Sequence, residues 1–172
     1  AKECAERKGI NIVGIIDCAS PYVIEDIENF LKTGDAYELK DGGIIYKDKV
    51  CILLGSEVET SEKGRNGKCG AAHNVCFFPH LKDIKGFSNE MSHHIKNITL
   101  STQRSNVSGY ELIDIVEKYN GILIPAHCFT PFKSYYGNCV DRMKDIFKEK
   151  FNKIFSIELG LSADTYLADM IT

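Results

Sequence analysis

Three short apolar runs in this chain each end on an ionisable side chain. Asn11 to Asp17 reads NIVGIID, Val50 to Glu59 reads VCILLGSEVE, and Ile122 to His127 reads ILIPAH. Runs this short and this rich in Ile, Val and Leu read as strands buried on both faces, hence as strands of a parallel sheet. Helical patterns lie between them. Ser20-Pro21 opens one that runs to about Lys32, with Val23, Ile24, Ile27, Phe30 and Leu31 on one face and Gly34 as its stop. Leu81 to Lys96 carries Leu81, Ile84, Phe87, Met91 and Ile95 at helical spacing, and Ser108 with Glu111 forms a capping box before a helix stopped by Gly121. Ala1 to Lys8 reads as the end of a helix, Asp141 to Lys153 as a helix, and Ala163 to Ile171 as a last short one. Ile44 to Lys47, His73 to Phe78 and Ile154 to Leu159 read as further strands, and the polar, Gly-rich Ser61 to Gly70 as a loop. Alternating strands and helices predict an α/β fold with a largely parallel sheet or barrel, in one domain spanning residues 1–172.

Composition narrows the functional classes. No apolar run approaches the roughly 18 residues that a membrane span requires. The formal net charge of -3 argues against coating nucleic acid by bulk charge, while leaving room for a local basic groove. The seven cysteines show no Cys-x-x-Cys spacing, which excludes a zinc ribbon, and fit a reduced, cytoplasmic chain that uses Cys as a small core residue.

In parallel α/β folds, chemistry is built at the carboxyl ends of strands. Asp17, Glu57 and His127 each close an apolar strand there. If Val50 to Glu59 and His73 to Phe78 form a hairpin, His73 comes back beside Glu57. Any one of these residues alone would pass for a helix cap or a half-buried polar group. Two carboxylates and two imidazoles converging on one mouth make a divalent-metal site, where bound ions acidify a water and stabilise charge on a phosphoryl group. Lys133, just past His127, and Arg104, in the polar link from Asn97 to Val107, are candidate phosphate contacts. His93 and His94 point about 100° apart on a helix and read, with His80, as surface. Cys128 lacks a base partner, and no glycine pattern matches a phosphate loop.

The blocks KNITLSTQR, IPAHCFTPFKSYYG and IELGLSADTYLAD, preceded by IDCASP and LLGSEVE, resemble the polymerase-and-histidinol-phosphatase (PHP) superfamily, and within it the branch containing endonuclease Q. The resemblance runs from about Gly9 to Ile171. It implies a distorted seven-stranded β/α barrel that hydrolyses phosphoesters with two or more divalent metal ions (zinc, manganese or magnesium). By motif, Asp17, Glu57, His73 and His127 match metal ligands of the family. The implied substrate is DNA, nicked on the 5′ side of deaminated bases such as uracil and hypoxanthine, or at abasic sites.

The chain departs from the family pattern in two places. Asp17-Cys18 stands where many members have Asp-His, and neither His-x-His nor Asp-x-His, expected on the first strand and near the last, occurs. The resemblance therefore implies a core fragment without the first strand and the C-terminal strand or strands, inactive on its own. Two other readings remain open: a small-molecule phosphatase of the histidinol-phosphatase type, and a non-catalytic module derived from the barrel.

Overall fold

The structure is a computed structural model that describes residues 1–64, 67, 69–100 and 103–160. Its centre is one long strand. In β4 (Val50–Lys63) every even-numbered residue is buried, while odd-numbered positions such as Leu53, Ser61 and Lys63 stay open. This two-residue period divides the strand into a core face and an open face. β5 (Cys69–Phe78) runs back antiparallel along β4, and β7 (Ile122–Pro125) lies antiparallel to β5. β3 (Ile44–Tyr46) is antiparallel to β4, and β2 (Ala36–Glu38) is antiparallel to β3. β1 (Ile12–Ile15) and the two-residue β6 (Gln103–Arg104) join β4 in parallel. These seven strands form a single sheet.

The helices cover the even face. α1 (Pro21–Thr33) starts at Ser20 and ends on Gly34 in the left-handed conformation, as the sequence pattern requires. α2 (Leu81–Met91) and α3 (Gly109–Lys118) bring Ile84, Phe87, Leu112, Ile113 and Val116 onto Ile52, Leu54 and Val58 in one continuous core. The capping box is formed: Glu111 N–H donates to Ser108 Oγ at 3.3 Å, and Ser108 N–H donates to Glu111 Oε2 at 2.8 Å. Ser108→Ala should cost about 1 kcal/mol, read as a lower midpoint in chemical denaturation; an unchanged midpoint would show that the cap contributes nothing.

Several expectations are corrected. The sheet is mixed and mostly antiparallel, because the short β4–β5 connection allows only an antiparallel return. The expected loop from Ser61 to Gly70 is strand at both ends, since β4 continues to Lys63 and β5 begins at Cys69. β1 is not buried on both faces; Ile12 is 63% exposed. The helix expected over Asp141 to Lys153 is a four-residue α4 (Lys144–Phe147), followed by a 3-10 segment (Lys148–Lys153) that opens on Lys148 at φ 52. Ile154 to Leu159 is not a strand, although Glu158 exchanges backbone hydrogen bonds with Pro125 and Cys128. The last expected helix, Ala163 to Ile171, lies outside the described residues. Among the described residues no strand pairing closes the sheet into a barrel, and no helix is long and apolar enough to cross a membrane.

Candidate metal centre

Glu57 and Glu59 are two apart on β4 and share a face. β5 sets His73 directly opposite Glu59 and puts Glu57 on the diagonal. His73 lies between them: Nδ1 is 3.3 Å from Glu57 Oε1, and Nε2 is 3.4 Å from Glu59 Oε2. β7 supplies the fourth group. Pro125 pairs with Asn74 and Ala126 N–H donates to His73 C=O, so the next residue, His127, arrives beside His73. Its Nε2 is 3.1 Å from His73 Nδ1, with the rings edge to face. One ligand atom from each of Glu57, His73 and His127 lies within 4.8 Å of the others.

The loop after β7 is held tightly. His127 (φ 33) and Lys133 (φ 53) both sit at positive φ, a conformation non-glycine residues adopt at a cost. Surrounding contacts fix it. His127 N–H donates to Glu158 Oε2 at 3.1 Å, His127 Nδ1 meets Thr130 Oγ1 at 3.0 Å, and His73 N–H donates to Lys133 C=O at 2.9 Å. Gly160, itself at φ 88, completes the fit, because a Cβ there would come within 2.7 Å of His127 Cβ. The two histidines are thus linked through backbone as well as side chains.

This arrangement fits a cation. Glu57 and His127 both face the same nitrogen of His73, and their lone pairs converge. Either a proton or a metal ion must sit among them. Burial works against protonation of His73, but the hydrogen bond and charge of Glu57, with help from Glu59, outweigh it and raise its pKa. For Glu59, burial favours the neutral acid, yet Lys133 and His73 hold its pKa below the ordinary carboxylate value. One carboxylate and two imidazoles are a donor set suited to zinc or manganese.

Asp17 does not join this tight group, but it adjoins it. Asp17 bridges Ser56, and the flanking bonds Glu57 N–H to Ile16 C=O and Cys18 N–H to Gly55 C=O lash the end of β1 to β4 beside Glu57. Lys133 and Arg104 both reach Glu59: Lys133 Nζ is 2.9 Å from Oε2 and Arg104 Nε 3.5 Å from Oε1. Glu59 was not among the residues singled out from the sequence. The available signal was its position two residues beyond Glu57 on a strand, hence on the same face. His80, His93 and His94 lie elsewhere, against Glu38, the Glu90 carbonyl and Asn106. The thiols of Cys18 and Cys128 are pushed up to about 12 by burial, which leaves them inert as nucleophiles.

No family model matches the chain. It is 42% identical over 171 residues to the uncharacterised protein YqxK of Bacillus subtilis (strain 168), covering 99% of this chain and 43% of YqxK. It is 27% identical over 125 residues to the uncharacterised protein MJ0043 of Methanocaldococcus jannaschii, covering 72% of this chain and 13% of MJ0043. Among solved structures, it resembles the lesion-specific endonuclease PfuEndoQ from Pyrococcus furiosus, with a TM-score of 0.77 and 30% identity over 98% of this chain and 38% of that one. An endonuclease Q complex with a 27-mer duplex carrying an abasic lesion at the active site matches with a TM-score of 0.77 and 31% identity. The chain therefore spans less than half the length of each of these relatives.

Proposed function

Across 98% of its length the chain is endonuclease Q-like in fold and sequence, and from that premise we propose that it is the metal-binding core of a DNA repair endonuclease. The observation that carries the proposal is the convergence of Glu57, His73 and His127 on one point, with Lys133 and Arg104 one carboxylate away. Three protein donors leave a zinc or manganese ion with open positions for water and substrate. A divalent ion held there would supply Lewis acidity and a more acidic water at neutral pH. Asp17, at the end of β1, is proposed as a donor to a second ion.

The other groups serve the phosphodiester. Lys133 and Arg104 have exposed side chains and keep donors free beyond those spent on Glu59, so they can hold a backbone phosphate at the mouth. Phosphate contacts of this kind fix position and carry no sequence information. Selection of a uracil, hypoxanthine or abasic site then requires the lesion nucleotide to leave the stack, where a damaged or missing base costs least. The wider form proposed for the catalytic domain is the distorted seven-stranded PHP barrel. What supports that form is that β1 and β7, both running in the direction of β4, end beside the donors Glu57 and His73. A reducing, cytoplasmic setting fits the seven free cysteines.

The test is a substrate panel given to the full-length protein with zinc or manganese. It contains duplexes bearing uracil, hypoxanthine or an abasic site, an undamaged duplex, and p-nitrophenyl phosphate. Incision 5′ of a lesion, abolished by chelation, is expected. Turnover of the phosphomonoester alone would instead make this a small-molecule phosphatase. A protein that binds no metal and cuts nothing would be a binding module.

A further inference from the structure

Glu59 also has a place at this centre. It is 7% exposed, on a strand whose neighbouring odd positions include the solvent-facing Leu53 and Ser61. A carboxylate this enclosed needs partners on every side, and Glu59 has them: His73 Nε2 at 3.4 Å, Lys133 Nζ at 2.9 Å and Arg104 Nε at 3.5 Å. The two cations pin the carboxylate from outside, and its inner edge meets the histidine.

The tautomer follows. A neutral imidazole carries one proton, and the ring nitrogen that hydrogen-bonds elsewhere leaves the other to act as ligand. An ionised carboxylate only accepts. Both ring nitrogens face a carboxylate, Glu57 at Nδ1 and Glu59 at Nε2, but only Nδ1 also faces His127; with an ion in that shared space Nδ1 is the ligand, and the proton belongs on Nε2, against Glu59. We propose that Glu59 is a positioning residue: it holds His73 in the Nε2–H tautomer, with Nδ1 as the metal-binding nitrogen, while Lys133 and Arg104 hold Glu59 in place. The proposal rests on the metal-centre reading above and adds to it which nitrogen of His73 binds and what orients it.

The test uses the full-length protein and two readouts besides activity. Zinc affinity is measured by competition with a chromophoric chelator, and the His73 tautomer by ring-nitrogen NMR shifts of the zinc-loaded protein. Zinc-loaded wild type should show Nε2–H. Glu59→Met, which fills similar volume without an acceptor, should weaken zinc binding about 10- to 100-fold, the range for losing such an outer partner, and give mixed tautomers. Glu59→Gln, whose amide oxygen still accepts, should restore the tautomer and most of the affinity. A zinc-loaded wild type with the proton on Nδ1 would overturn the inference without any variant, so a Glu59→Met that fails to fold does not shield it. Zinc affinity and tautomer unchanged in Glu59→Met would overturn it too, while leaving the metal centre intact. A wild type that binds no zinc would remove both.

Discussion

His127→Ala in the full-length protein is expected to lower incision of lesion-containing DNA about a thousandfold, equivalent to about 4 kcal/mol of lost transition-state stabilisation. His127 is one of three groups whose ligand atoms converge, and among the described residues no other His, Cys, Asp or Glu joins that set. The fold should survive. The alanine inherits the same φ of 33, and its backbone N–H keeps the bond to Glu158. Thr130 loses the imidazole but retains the carbonyls of His127 and Phe132 as acceptors for its hydroxyl. The variant should therefore melt near the parent temperature and bind zinc more weakly by competition titration. Incision at the parental rate would show that the centre is not where the chemistry happens.

How far the sequence led depends on the physics of each element. Glu57, His73 and His127 were legible as neighbours because a hairpin returns His73 beside Glu57 and an apolar run ends on His127, although Glu57 and His73 lie inside β4 and β5 and not at strand ends. The helix over Pro21–Thr33 was legible almost to the residue, because Ser20, Pro21 and Gly34 act locally through backbone conformation. Strand direction was not. Ile-rich runs look alike in parallel and antiparallel sheets, and only the pairing of β4 with β5 and of β5 with β7 decides. The start of β5 was hidden for a related reason. Cys69, Gly70, Ala71 and Ala72 are small residues with weak strand preference, yet Gly70 is required where Cys139 and Asn138 press on it: a Cβ would meet Cys139 Sγ at 2.7 Å. Glu59 was missed because Glu57 was taken to close the apolar strand, whereas β4 continues to Lys63 and carries Glu59 on the same face, opposite His73.

A change in the core should separate from a change at the centre, and Phe87→Ala is the sharpest case. Phe87 is fully buried on α2, its ring centroid 4.6 Å from that of Phe78 at the far end of β5 from Cys69. Phe78 in turn lies against Gly121 so closely that a Cβ there would come within 2.6 Å of its ring. With neighbours this constrained, little can collapse into the space the ring leaves. The substitution should cost about 3–5 kcal/mol, lost transfer energy plus cavity. Against a total of about 5–15 kcal/mol, that is a large fraction of the fold's stability. The melting temperature should fall by about 6–20 °C. His73 lies five residues back along the same strand and faces the opposite side of the sheet, held by Glu57, Glu59 and the Lys133 carbonyl. Below the lowered melting point, zinc affinity should therefore match the parent within about twofold. His127→Ala should do the reverse, sparing the melt and losing the metal. If Phe87→Ala weakened zinc binding while still folded, the sheet would be transmitting strain from its helix-covered face to its open one, and the independence of core and centre would fail.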